Sequence, residues 1–372
     1  MRTLTAIAAS LLTVTVLAGG PLNPPAGAVA PSMKPLSEIE PRTAINATNT
    51  PGDADSVYRI TQPGSYYLTG NLTGANGKCG IEITASFVTI DLNGFAVLGG
   101  VGTLDGIRTA GGICFGVTVR NGTIAGFGQD GLDLTHGGIS VGGSIQDIHT
   151  RDNDGRGIAT SASCVVERCS ATLSGLSGIV VQYGSTASDC AASTNGGAGL
   201  VTSGGCTVTR CTAESNAENG FDLSGGSTIT NSSARVNDQH GIQAGTGCLV
   251  ADCTAQYNGL DGIRITSYVT VRGCNCDSNG LIGVGAGIHA IANDNRIEGN
   301  ACNNADAGID VDTSGNVIVR NTCATNMVNW SLAVGNNYGP IIDRSGALSP
   351  PVNGNSAAAA LGTTDPNANF TH

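Results

Sequence analysis

Between Gly157 and Asp261 the apolar positions return at a fixed interval, and the segment divides into five ungapped blocks of 21 residues: GIATSASCVVERCSATLSGLS, GIVVQYGSTASDCAASTNGGA, GLVTSGGCTVTRCTAESNAEN, GFDLSGGSTITNSSARVNDQH and GIQAGTGCLVADCTAQYNGLD. In each block a Gly at position 1 precedes an apolar residue at position 2, giving the column Ile158, Ile179, Leu200, Phe221 and Ile242. Strand side chains alternate with a period of two, so positions 2 and 4 face the same way. Positions 8 and 10 form a second inward pair, with Val166, Ala187, Val208, Ile229 and Val250 at position 10. Positions 13 and 15 form a third, with Cys169, Cys190, Cys211, Ser232 and Cys253 above Ala171, Ala192, Ala213, Ala234 and Ala255. Each block therefore reads as three short strands. None of them can bury its apolar face alone, so successive blocks must stack.

Position 18 holds Asn195, Asn216, Asn237 and Asn258, with Ser174 as the exception. Amides stacked in register can bond as a ladder, and Asn tolerates the left-handed backbone that a tight corner needs. No i, i+3, i+4 stripe interrupts the pattern. The block is too short for a leucine-rich turn that includes a helix, and it lacks the roughly 40-residue period of a propeller blade. The predicted fold is all-β: a single-stranded parallel β-helix, right-handed because parallel crossovers favour that hand. Coils begin at Gly80, Gly106, Gly131 and Gly157, run at the regular spacing to Gly262, and continue at Gly287 and Gly308 before fading near Trp330. About eleven turns at roughly 4.8 Å each make a rod of about 50 Å.

The flanks follow from this core. Residues 1–30 read as a signal peptide and its cleavage region, because Arg2 precedes an apolar run from Leu4 to Ala18 that is too short to span a bilayer. Residues 31–56, punctuated by proline, form an extended lead-in. Residues 57–79 suggest two strands around Pro63-Gly64 and an N-terminal cap, and residues 331–372 a C-terminal cap with a loose tail. The chain is expected to be secreted as a monomer, with no membrane insertion after signal removal. Its net charge moves from −11 to −12 once Arg2 is gone. An acidic chain with scattered Lys and Arg offers no nucleic-acid surface. Charged residues make up only 12%, so Gly, Ser, Thr and Asn supply the surface instead.

The thirteen cysteines sit mostly in inward columns where a small apolar side chain fits. Position 8 is Cys at Cys164, Cys206 and Cys248, and each of those blocks also has Cys at 13 (Cys169, Cys211, Cys253). Bridges within a coil and a reduced, packed ladder are both open. Cys274 and Cys276 lack a second pair at zinc-like spacing.

The pattern Asn, three residues, Gly, apolar, as in Asn195 to Leu200 and Asn258 to Ile263, resembles the right-handed β-helix proteins of the pectin-lyase-like superfamily. The similarity is to the repeat class shared by carbohydrate-binding proteins and sugar hydrolases, and it covers roughly residues 80 to 330. It implies a polysaccharide or cell-surface glycan as partner. It also directs attention to the outward positions of the first strand, where superfamily members that cleave acidic polysaccharides commonly hold calcium on carboxylates and use Arg or Lys as base.

Position 3 here runs Glu82, Arg108, Asp133, Ala159, Val180, Val201, Asp222, Gln243, Arg264, His289, Asp310, with Asp312 at position 5 beside the last. Arg264, His289, Asp310 and Asp312 are the catalytic candidates. Asp222, Gln243, Arg264 and His289 are the substrate-binding candidates, and Asp310 and Asp312 the candidate Ca²⁺ ligands. Four extra residues between Asn279 and Gly287 would raise a lip beside them. Glu82, Arg108 and Asp133 form a second cluster, while His136 and His240 read as turn residues. Neither the paired Asp with Gly-His-Gly of polygalacturonases nor the DPHD motif of uronate epimerases is present. The expected function is therefore glycan binding or a structural role at the cell surface, the alternative being a lyase, hydrolase or epimerase acting on an acidic glycan.

Overall fold

The computed structural model describes residues 40–135, 140–343 and 364–372. The signal-peptide reading, His136 and much of the C-terminal tail lie outside these residues. The described residues from Arg42 onward belong to one compact unit, which carries the fold. That unit is a right-handed parallel β-helix. The first strands of successive coils form a 13-stranded parallel sheet running from Ser56–Ile60 to Val328–Leu332. The second and third strands form a 26-stranded sheet. They merge into one because Cys114–Ala125 and Ser140–Arg151 run through the corner as continuous strands of 12 residues each.

The periodic columns stack as the spacing predicts. Ile158 pairs with Ile179, Ile179 with Leu200, Leu200 with Phe221 and Phe221 with Ile242, and all are buried. Val166, Ala187, Val208 and Ile229 follow one another in the same way in the second stack, and Ala171, Ala192, Ala213 and Ala234 in the third. Burying these columns against one another is the main favourable term holding the rod together.

The thirteen first strands exceed the expected eleven turns because the ladder reaches back past residue 80 to Ser56–Ile60 and forward to Val328–Leu332. Ser56–Ile60 pairs in parallel with Cys79–Ile83, and Gly64–Tyr67 pairs in parallel with Val88–Asp91. The two strands around Pro63-Gly64 thus belong to one coil and do not pair with each other. At the other end Asn369–Thr371 returns to pair with Ile341–Asp343, and Thr322 and Cys323 pair with Phe370 and Thr371.

The position-18 amides form the predicted ladder. Asn216 Oδ1 accepts from the Asn195 backbone N–H at 3.2 Å and from its Nδ2 at 2.9 Å, and Asn237 and Asn258 repeat the arrangement. The left-handed residue, however, stands one position earlier, at Thr194 (φ 56°), Ser215 (57°), Val236 (55°) and Tyr257 (56°). Asn is needed for its side chain, while the corner backbone is turned by its neighbour. The ladder also explains the Gly four residues after Asn. A Cβ on Gly220 would lie 2.6 Å from Asn237 Nδ2 and 2.7 Å from the Gly241 carbonyl oxygen, closer than any side chain tolerates. All thirteen cysteines are buried free thiols. Among them Cys276, Cys302 and Cys323 stack in register in the third column.

Candidate functional site

The position-3 column is continuous in register from Glu82 to Asp310. Its C-terminal part pairs Asp222 with Gln243, Gln243 with Arg264, Arg264 with His289 and His289 with Asp310. Asp222, Gln243, Arg264, His289 and Asp310 are half-buried, and Asp312 is exposed. The N-terminal part is not an open face, since Glu82, Arg108 and Asp133 are buried. Glu82 is held between Arg59 at 3.2 Å and Arg108 at 2.8 Å. Side chains that strand alternation points outward are covered there by their own ion pairs.

Two residues outside the position-3 reading complete the C-terminal cluster. Asp261 and His240 each occupy the place just before a coil Gly, and both are buried. His289 Nδ1 donates to Asp261 Oδ2 at 3.0 Å, and its Nε2 lies 3.2 Å from Asp312 Oδ2 and 3.9 Å from Asp310 Oδ2. His240 Nδ1 lies 3.2 Å from Asp261 Oδ2, and Arg264 Nη1 lies 3.2 Å from His240 Nε2. A guanidinium can only donate, so Nε2 of His240 accepts from Arg264, while its Nδ1 faces both Asp261 Oδ2 and the Asp261 backbone N–H, each at 3.2 Å. His240 thereby links Arg264 to Asp261.

These contacts set the protonation of the cluster. Hydrogen bonding to Asp261 raises the His289 pKa to about 8 against the opposing effect of burial, with further help from the Asp261 charge and from Asp312. Burial would raise the Asp261 carboxyl, but hydrogen bonds from His240, His289 and the Ala286 N–H together hold it below the usual carboxylate range. Near neutrality His289 is thus an imidazolium clamped between carboxylates, fitted to donate a proton on its Nε2 side. Above its raised pKa it becomes a base. Burial raises the Asp222 carboxyl as well.

The expected insertion folds as a loop over the preceding coil. Leu281 N–H donates to Asn258 O and Ile282 N–H to Gly259 O, while Ala286 N–H donates to Asp261 Oδ1 at 2.8 Å. Leu281, Ile282 and Val284 are exposed on it. His289, Asp310 and Asp312 each bring one donor atom within 4.8 Å of the others. A protonated imidazole cannot ligate, which leaves two carboxylates that fit Ca²⁺ as part of a site completed by further oxygens. A cavity of about 480 Å³ lies elsewhere, at the C-terminal end, lined by Trp330, Leu332, Val334 and Tyr338. Its lining among the described residues holds neither carboxylate nor imidazole, so it is not where the acid–base groups gather. No helix among the described residues is long and apolar enough to cross a membrane.

Fold and cluster together define a solenoid that presents acid–base groups in register along one face. The chain belongs to the family described as the right-handed β-helix region, which matches residues 80–233 and 222–346. Among solved structures it is similar to the A-module of the Azotobacter vinelandii mannuronan C-5 epimerase AlgE4, at 16% identity and a TM-score of 0.59, covering 74% of this chain and 91% of that one. The A-module of mannuronan C-5 epimerase AlgE6 from the same organism matches at 16% identity and a TM-score of 0.55, covering 83% and 90%. A double mutant of the tailspike protein of E. coli bacteriophage HK620 matches at 13% identity and a TM-score of 0.51, covering 70% and 60%. At these identities the likeness is one of fold. Comparison with curated proteins finds no match.

Proposed function

We propose that this protein is an exported β-helix that binds a polysaccharide across the C-terminal half of its first-strand face, through Asp222, Gln243, Arg264, His289, Asp310 and Asp312. The observation that carries the reading is the unbroken register Gln243–Arg264–His289–Asp310, which presents polar groups at roughly 4.8 Å intervals on a rigid support. Such a surface needs little ordering to meet an extended polymer. Two of the similar structures are mannuronan C-5 epimerases, which supports a polysaccharide as the class of partner. Charge then selects conditions. Asp261, Asp310 and Asp312 outnumber Arg264 and protonated His289, so a uronate polymer meets a net negative face and needs Ca²⁺ on Asp310 and Asp312 to bridge its carboxylates.

A second reading, lyase, hydrolase or epimerase, is favoured by one feature: Asp261 fixes Nδ1 of His289 and leaves Nε2 toward the exposed side. This is how a carboxylate orients an imidazole for proton transfer. Both readings are tested by exposing the purified protein to uronate-rich and neutral polysaccharides with and without Ca²⁺, scoring retention and new reducing or unsaturated ends. Ca²⁺-dependent retention of the uronate polymer is expected, weakened by Arg264→Ala. Arg210→Ala, which removes an exposed partner of Asp189 at the corner just after the second strand, should leave retention unchanged. If Arg264→Ala binds and cleaves like the parent, the site assignment is wrong.

A further inference from the structure

A second carboxylate cluster lies at the N-terminal end of the rod, apart from the proposed glycan face. Asp105 and Asp130 occupy the place just before a coil Gly, as His240 and Asp261 do further along, and they stack: Asp130 N–H donates to Asp105 Oδ1 at 3.0 Å. Asp133 follows from the adjoining first strand. All three are buried, and one oxygen from each lies within 4.8 Å of the others.

The partners of these oxygens are unevenly distributed. Asp130 is tied to the next coil, its Oδ1 accepting only the Arg156 backbone N–H at 2.6 Å and its Oδ2 accepting Nε and Nη2 of Arg156 at 2.9 and 2.6 Å. Asp133 Oδ1 accepts from the N–H and hydroxyl of Thr135, which leaves Oδ2 with Arg156 Nη2 at 3.5 Å. Asp105 Oδ2 is buried with no hydrogen-bond donor among the described residues. Its nearest cation, Arg108 Nη1, stands 3.7 Å away, because Arg108 spends its Nε and Nη2 on Glu82. A side chain 2% exposed with an orphaned anionic oxygen is costly unless something binds it.

Asp105 lines a cavity of about 340 Å³ together with Asp130, Asp133, Asp154, Arg156, Gly128 and Gly155. The wall therefore carries four carboxylates against one guanidinium, and the Arg108–Glu82 pair beside it is neutral. We propose that this cavity is a divalent-cation site of the Ca²⁺ class, in which Asp105 Oδ2, Asp133 Oδ2 and an Asp130 oxygen hold one ion that ties consecutive coils together. The donor set is oxygen only, which selects hard cations over zinc or copper. Oxygens up to 4.8 Å apart can both touch one ion at the roughly 2.4 Å usual for Ca²⁺, while the roughly 2.1 Å of Mg²⁺ reaches less far. The cavity leaves room for water to complete the shell. The competing occupant is a proton, since burial raises the Asp105 carboxyl above its ordinary range.

The test is Ca²⁺ titration by calorimetry, with melting followed in parallel, on the full chain carrying Asp310→Asn and Asp312→Asn so that the other candidate ligands are silent. This background is expected to bind one Ca²⁺ and to melt higher in its presence. Adding Asp105→Asn should weaken binding at least about tenfold and abolish the Ca²⁺-induced rise. The metal-free protein should melt no lower, because the buried anion is gone. Asp133→Asn serves as the second variant should Asp105→Asn not fold, with the same loss expected. No Ca²⁺ binding in the Asp310/Asp312 background, or unchanged binding after both Asp105→Asn and Asp133→Asn, overturns the proposal and leaves Asp105 protonated. Glycan retention by Asp105→Asn reads the separate proposal above and is expected to match the parent.

Discussion

Replacing Asp261 by Asn tests whether the C-terminal cluster is organised as described. In the parent, His289 titrates at about 8 against an ordinary value of 6.5. A difference of about 1.5 pH units corresponds to roughly 2 kcal/mol of preferential stabilisation of the imidazolium in the folded chain. The side chain is 21% exposed, so solvent screening removes little of this. Because the folded value is raised, the contribution is fully present below about pH 6.5 and is lost as pH rises through about 8. Asp261 acts at the other end, its depressed carboxyl giving stability that is present above about pH 4 and lost as pH falls through its folded value. Asp261→Asn keeps an acceptor near Nδ1 of His289 but removes the charge. Only the weaker pulls of Asp312 and Asp310 then remain, and the imidazole should titrate near its ordinary value. The cost of the substitution should be larger at pH 6 than at pH 9 by up to about 2 kcal/mol. NMR titration of the imidazole and denaturation at the two pH values read both quantities. A parent His289 that titrates near 6.5, or one still near 8 in Asp261→Asn, refutes the reasoning.

Two further outcomes concern the rod itself. Val208→Asp and Ile179→Asp place a carboxylate at fully buried positions and should each cost several kcal/mol, roughly the penalty for an unpaired buried charge; unchanged melting would show that the columns face the other way. Asn237→Leu strips the acceptor from both the backbone N–H and Nδ2 of Asn216, which at roughly 1 to 3 kcal/mol per orphaned group predicts a loss of about 2 to 6 kcal/mol by chemical denaturation; a loss below 1 kcal/mol would mean that the amide ladder is replaceable by packing.

The columns, the Asn ladder and the order of residues on the first-strand face were legible because a fixed period makes every position repeat its own environment. Arg264, His289 and Asp310 meet for no other reason than that register. Asp261 is not singled out by the sequence, and His240 reads there only as a turn residue, because strand alternation assigns directions only inside strands. Both stand in the corner before a coil Gly, where the backbone leaves the strand and side-chain direction depends on the corner itself. Asp105, Asp130 and Arg156 occupy the same place in earlier coils, and they too were missed. A signal was available, since this position is small or neutral in the middle coils (Ser177, Ala198, Asn219) and charged or imidazole-bearing at the two candidate sites. The burial of Glu82, Arg108 and Asp133 was hidden for the same reason, because two of the groups crowding them, Asp105 and Arg156, come from that corner.

Stacking itself generates both sites. A parallel solenoid sets equivalent residues about 4.8 Å apart, so two like charges in one column repel by about 3.5 kcal/mol at an effective dielectric near 20. At position 3 the N-terminal coils avoid this by alternation, with Arg59, Glu82, Arg108 and Asp133 in register. Alternation fails before the coil glycines, where Asp105 and Asp130 follow one another. Negative charge also gathers across one strand end, where Asp310 and Asp312 stand two positions apart beside Asp261 and His289. Where neighbours cannot supply the missing positive charge, it must come from outside the sequence, as a proton or a cation. At the C-terminal cluster His289 takes a proton and carries it to about pH 8. At the N-terminal cluster both guanidinium groups are committed, Arg108 to Glu82 and Arg156 to Asp130, so the remaining positive charge at Asp105 has to be a bound ion or a proton. Excess negative charge, whether along a stacked column or at one strand end, thus locates the places where such a rod can gain from binding something, and in this chain these are the two clusters of potential ligands found among the described residues.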